Sequence, residues 1–347
     1  MLKDQRLPPQ GGLPPAEEVG GAVVEIACDE SGFSGTNLLD TVTPLFTHAS
    51  VDLRVEEADD LLRSLRSGSR WSLNEFKSGR FLRSARSGEA LEWLLMKLSG
   101  RAHVHLVDKE YFLVTRIVDL FLVEPTYAAG TRLSQANRPA ALALYRAGRA
   151  GRTGVREWSA FLTAFVNLVR TKRKHQPDRS AMEGFFQARD SLAGAGLGAD
   201  AEAVLDGLTP ARVWEILIRL AHEDRSIPPP LEPMLPALAE TVLFWSGGRR
   251  RVLVIHDEQS ALTAGRLRRL QQMLAYGADP PAADASEGEE LSARDSPFAG
   301  LVTVDSRDDP RVQVADLLAG IARRTSDVGD DLLQSFLSPT SLRDPER

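Results

Sequence analysis

The chain has 347 residues, 43% of them hydrophobic, with a formal net charge of -6. That composition excludes collagenous and fully disordered classes and leaves room for one large domain or two smaller ones. Cys28 is the only cysteine, which rules out an intramolecular disulfide framework, and no apolar run reaches the length of a membrane span. A soluble cytoplasmic protein with no membrane partner is the expectation.

Residues 1–20 are polar, rich in Pro and Gly, and lack the apolar core of a signal peptide, so they read as a flexible segment. Val23 to Asp29 reads as a buried strand, and Pro44 to Val51 as its antiparallel neighbour across the Gly32-Phe33-Ser34-Gly35 turn. Glu56 to Arg66 has a partial helical stripe in Leu61, Leu62 and Leu65. Trp71 to Lys77 is expected to be extended, Gly88 to Leu98 helical, and His103 to Val107 a strand ending at Asp108.

From Tyr111 to about Trp245 the apolar spacing is helical, including 142–149, 158–169, 182–192, 211–221 and 235–244. Strand character returns at Val252 to Ile255, followed by a basic helix around Leu262 to Leu274. Residues 277–296 are poor in apolar groups and read as a flexible loop. Leu301 to Val304 is a short strand. Pro310 to Arg323 is a final helix, with Asp309 suited to its N-cap. The organisation expected is an α/β core in two parts, 21–125 and 249–325, around a partly basic helical insertion, 126–248, with a C-terminal tail, 326–347.

Carboxylates stand at the ends of the apolar runs. Asp29 and Glu30 follow the first strand, Asp257 and Glu258 follow a strand that is apolar at four positions in a row, and Asp305 follows the last. Buried carboxylates are costly unless a cation or donors compensate, and open α/β sheets place ligands at such strand ends. If the first strand and Val252 to Ile255 are parallel neighbours, Asp29 and Asp257 face one crevice. Gln313, Asp316 and Gly320 share a helix face bordered by Leu317, Leu318 and Ile321. Asp316 is then either a ligand-bearing residue or half exposed and paired with Arg323 or another donor.

Asp29-Glu30-Ser31-Gly32, Glu75-Phe76-Lys77, Asp257-Glu258, and Asp305-Ser306 followed by Gln313-Val314-Ala315-Asp316-Leu317-Leu318-Ala319-Gly320 together resemble the family called domain of unknown function 3800. The resemblance brackets the chain from Val23 to Arg323 and touches none of the helical insertion. It implies an RNase H-like fold: a mixed five-stranded sheet flanked by helices, with an acidic centre that binds one or two Mg²⁺ or Mn²⁺ ions. Carried over, Asp29 is the central ligand, Asp257 and Asp316 complete the set, and Glu30, Glu258 and Asp305 are further ligands or supporting groups. Strand alternation, however, points Glu30 away from Asp29. Lys77 would neutralise a carboxylate or hold a phosphate beside Glu75, while Ser31 and Gln313 would orient the ligands. The function implied is hydrolysis of phosphodiester bonds by a metal-dependent nuclease.

Between Thr126 and Ser180 eleven basic residues face two acids, and Arg170, Lys172, Arg173 and Lys174 form the sharpest cluster. It would either track a nucleic-acid backbone, RNA or DNA, or simply solvate a helix end. His103, His105 and His256 read as packed histidines and Cys28 as a small core residue. The alternatives to a nuclease are a non-catalytic module binding nucleic acid or protein, the latter through the insertion, and a phosphoesterase acting on a small molecule.

Overall fold

Val23–Ser31 forms β1, buried on both faces from Ile26 to Asp29. The protein is described here from a computed structural model covering residues 10–15, 21–33, 35, 37–67, 87–150, 155–170, 176–277, 295–325 and 331–346. The extended segment expected at 71–77, nearly all of the 277–296 loop and the basic residues Lys172, Arg173 and Lys174 lie outside these residues.

β1 sits at the centre of a five-stranded mixed sheet of order β3-β2-β1-β4-β5, where β2 is Leu45–Val51, β3 Ala102–Asp108, β4 Arg251–Asp257 and β5 Phe298–Val304. β2 runs antiparallel to β1, with Asp29 opposite Ala49 and Glu30 opposite His48. β4 is parallel to β1, pairing Ala27 with Ile255 and Cys28 with His256, and β5 is parallel to β4. Central strands covered on both faces carry continuous apolar runs, which is why β1 and β4 stand out in the sequence.

The chain divides into two compact units, Met1–Phe33 with Phe46–Leu106 and Ala237–Ser341, and Ser34–Leu45 with Val107–Pro236 and Leu342–Arg347. In the first, helices α1 (Val55–Ser67), α2 (Ser87–Leu98) and α11 (Pro310–Thr325) share one core with the sheet, in which Val314, Ala315, Leu317, Leu318, Ile321 and Ala322 are fully buried. A helix buried almost all round is apolar on nearly every face, and α11 is. Its start is set locally: Asp309 accepts from the Arg311 N–H at 2.9 Å and Pro310 occupies the first turn.

The second unit is helical, with α3 (Lys109–Phe121), α4 (Arg138–Ala150), α5 (Val155–Val169), α6 (Arg179–Ala193), α7 (Ala199–Gly207) and α8 (Pro210–Ala221). Phe121, Phe161, Phe165 and Phe185 pack together at its centre. Gly148 lets α4 lie against Trp158: a Cβ there would come within 2.2 Å of the indole. α7 is absent from the sequence reading because nine residues are too few to show a helical period. The remaining helices are α9 (Met234–Ser246), α10 (Ala264–Tyr276) and α12 (Asp331–Gln334). Among the described residues no helix is long and apolar enough to cross a membrane.

Both terminal segments are tied down where they are described. After α12 the chain runs along β3, with Val104 donating to the Phe336 carbonyl at 2.8 Å and Ser338 donating to the Val104 carbonyl at 2.7 Å. Residues 10–15, expected to be flexible, hold β5 through paired bonds between Leu13 and Leu301, both 2.8 Å. Backbone bonds that a polar composition does not reveal make the difference, and they cover what would otherwise be an open sheet edge. Gly300 permits this approach, since a Cβ there would meet the Leu13 oxygen at 2.6 Å and the Pro15 nitrogen at 2.9 Å. Gly300→Ala is therefore expected to lower stability by about 1–3 kcal/mol. Urea unfolding checks this, with the part due to contact with Leu13 and Pro15 disappearing when residues 1–15 are also deleted and the part due to the positive φ of Gly300 remaining.

Candidate functional site

Cys28 and His256 are the last paired residues of β1 and β4, and the next residue in each strand is an aspartate. Asp29 and Asp257 therefore leave neighbouring parallel strands at one level, on the sheet face that α11 covers. Asp316, on α11, is near enough for its charge to act on Asp29, and the close seating of α11 is marked by the Thr47 hydroxyl donating to the Ala319 carbonyl at 2.8 Å.

Asp29 is 7% exposed. Burial pushes its carboxyl well above the usual carboxylate range, and the charges of Glu30, Asp316 and Asp257 push it further up. The bond that its Oδ1 accepts from the Glu30 N–H, at 2.7 Å, opposes this but does not cancel it. Asp257 is held by backbone donors: its Oδ1 accepts from Glu258 N–H at 2.9 Å and from Ser306 N–H at 3.2 Å.

Glu30 points to the opposite face, as strand alternation requires. Its Oε1 accepts from Gln259 Nε2 at 2.6 Å, while Oε2 is buried without a hydrogen-bond partner, 3.9 Å from His256 Nε2. Asp29, Glu30 and His256 present potential ligand atoms within 4.8 Å of one another. Both His256 nitrogens are nevertheless engaged, Nε2 with His48 Nε2 at 3.2 Å and Nδ1 with the Asp257 carbonyl at 2.9 Å. The two rings lie 15° from parallel with centroids 5.4 Å apart, so with that nitrogen contact they meet edge to edge. A carbonyl only accepts, so His256 Nδ1 carries a proton. Burial holds His48 well below its usual range, hence neutral. His256 thus acts as a brace on the Asp257 backbone, and the carboxylates are the stronger candidates for a cation.

The other residues singled out from the sequence fall in several places. Glu258 is exposed and accepts from Gln10 N–H at 3.2 Å. Asp305 is in an ion pair with Arg307 at 2.5 Å. Ser31 accepts from Arg323 Nε at 3.0 Å. Gln313 donates to the Ser306 carbonyl at 2.9 Å, and Ser306 in turn supports Asp257. Glu75 and Lys77 lie outside the described residues. Arg170 is exposed, whereas Arg146 and Arg149 of the basic region are paired with Asp344 and Glu110 at 2.6 and 2.9 Å. Part of the basic excess is thus neutralised internally.

The sequence reading missed His48 and Arg66. His48 is signalled only by standing opposite Glu30 once the β1–β2 register is known, and Arg66 only by its 3.3 Å bond to Gln313 across 247 positions of sequence. No family model, curated protein or solved structure matches the chain.

Because the native carboxyl of Asp29 is raised, the folded state binds its proton more tightly than the unfolded state. Stability from this group is fully present at low pH and falls as pH rises from the ordinary aspartate value to the raised native one. In EDTA, Asp29→Asn is expected to melt higher than wild type near pH 8. The difference should shrink towards zero near pH 4, in paired thermal melts across that range.

Proposed function

We propose that this chain is an RNase H-like, metal-dependent nuclease hydrolysing phosphodiester bonds of RNA or DNA. The observation that carries the reading is that Asp29 and Asp257 end two neighbouring parallel strands and that Asp316, on α11, stands near enough for its charge to act on Asp29, whose carboxyl is raised by burial and by the other carboxylates. The sheet order, with a central β1 flanked by antiparallel β2 and parallel β4, supports the RNase H-like part.

A divalent cation fits this donor set. The groups are carboxylate oxygens, which suit Mg²⁺ and Mn²⁺, and Glu30, whose Oε2 is buried without a hydrogen-bond partner, offers a ligand oxygen within 4.8 Å of one from Asp29. Asp29, Asp257 and Asp316 would hold the ion. When bound, such an ion lowers the pKa of water and neutralises charge developing on the phosphate. The chain's own contribution is positioning: Ser306 and Glu258 N–H groups fix one Asp257 oxygen, His256 fixes its backbone, and the apolar seat of α11 fixes Asp316.

Mn²⁺ or Mg²⁺ should raise the melting temperature of the wild type and raise that of Asp29→Asn much less, because binding to the folded state alone stabilises it. Asp257→Asn and Asp316→Asn should each lower metal-dependent cleavage of RNA, DNA or hybrid oligonucleotides by at least about 100-fold while still binding them. Tight binding with no cleavage by wild type under either metal, and identical behaviour of both variants, would replace the nuclease with a binding module.

A further inference from the structure

α1 and the start of α11 enclose a cleft of about 410 Å³ lined by Val55, Asp59, Arg63, Arg66, Arg307 and Gln313, among others. Its arginines differ in how they are engaged. Arg63 is bound to Asp59 at 2.7 Å and to Asp60 at 2.8 Å, and Arg307 is bound to Asp305 at 2.5 Å. Arg66 has no carboxylate against it among the described residues. Its Nε is buried without a hydrogen-bond partner, and its Nη2 donates to Gln313 Oε1 at 3.3 Å. A half-buried guanidinium with an unused donor is costly to leave so, and its planar fork suits a phosphate oxygen pair.

The cleft is also wired to the carboxylate end of the sheet. Gln313 receives Arg66 on one side and donates to the Ser306 carbonyl at 2.9 Å on the other, and Ser306 N–H donates to Asp257 Oδ1 at 3.2 Å. Gln313 is also three positions before Asp316 on the same helix, hence on the same face one turn away. An anion bound at Arg66 would lie beside the turn that supports Asp257 and one helical turn from Asp316.

We infer that this cleft is a backbone-phosphate site, in which Arg66 grips a phosphodiester of the nucleic acid flanking the one to be cleaved. The inference rests on the reading of the carboxylate cluster as a phosphodiester-cleaving centre, and it supplies the contact that sets the polymer's path there. Arg66 is a binding residue; Gln313 positions it. Glu56, exposed at the cleft, and Asp59, tied to Arg63, are the acids a strand would have to pass, which favours a single close contact over a broad basic track.

The test is done in EDTA, so that cleavage plays no part, by titrating labelled 12-nucleotide single-stranded RNA and DNA, and a methylphosphonate DNA of the same sequence, over a range of salt. Arg66→Gln should weaken binding of the charged strands roughly tenfold and reduce the salt slope by about one, with Arg66→Lys intermediate. Val55 is 44% exposed at the cleft, so changing it tests the same place without a folding risk: Val55→Glu should weaken binding and Val55→Lys strengthen it. The neutral-backbone strand should bind weakly and respond to none of the changes. Absence of binding by wild type, or variants matching wild type in affinity and slope, overturns the inference. Wild type that binds through Arg66 but cleaves nothing with Mn²⁺ overturns the nuclease reading and leaves the phosphate site standing.

Discussion

Parallel pairing of β1 with β4 sets Cys28 beside His256, and the aspartate after each is carried to the same level of the sheet. The rest of this end of the protein is arranged around the like charges that result. Asp316 adds a third, and the repulsion is overcome because α11 is locked by apolar packing: Leu317, Leu318 and Ile321 are fully buried, each worth about 1.5–3 kcal/mol relative to exposure. A helix held that firmly can carry a carboxylate into an unfavourable field. Such a cluster, costly without a cation, is the arrangement that binding a cation relieves.

The two faces of β1 divide the work. Asp29 faces α11, while Glu30, on the other face, meets Gln259 and the edge-to-edge imidazoles of His48 and His256. His256 Nδ1–H on the Asp257 carbonyl anchors the strand end from behind, and the Ser306 N–H anchors the side chain from the adjacent turn. Through Gln313 that turn is tied to Arg66 of α1, so the proposed phosphate contact and the proposed metal ligand share a support.

Much of the fold was legible because its signals are local. The apolar runs of β1 and β4, the capping pair Asp309-Pro310 and the helical spacing of α4, α5, α6, α8 and α9 each depend on neighbours in sequence. The opposite orientations of Asp29 and Glu30 followed from alternation alone. What was not legible depends on register between distant segments. The hold of Leu13 on Leu301, the packing of the C-terminal segment on β3 and the contact between His48 and His256 are made by residues that carry no local mark of their partners. Asp305 illustrates the limit at the site. It stands after a strand just as Asp257 does, yet Arg307 two positions later takes its carboxylate, and only the folded arrangement distinguishes the two.

The central claim is that Asp29, Asp257 and Asp316 are ligands of one cation centre, and diffraction at the manganese edge from crystals grown with Mn²⁺ addresses it most directly. The account predicts an anomalous peak bounded by these three side chains, with direct carboxylate ligands at roughly 2.0–2.2 Å. Ordered carboxylates at this place with no anomalous peak between them, under saturating Mn²⁺, or a peak only elsewhere on the protein, would contradict it.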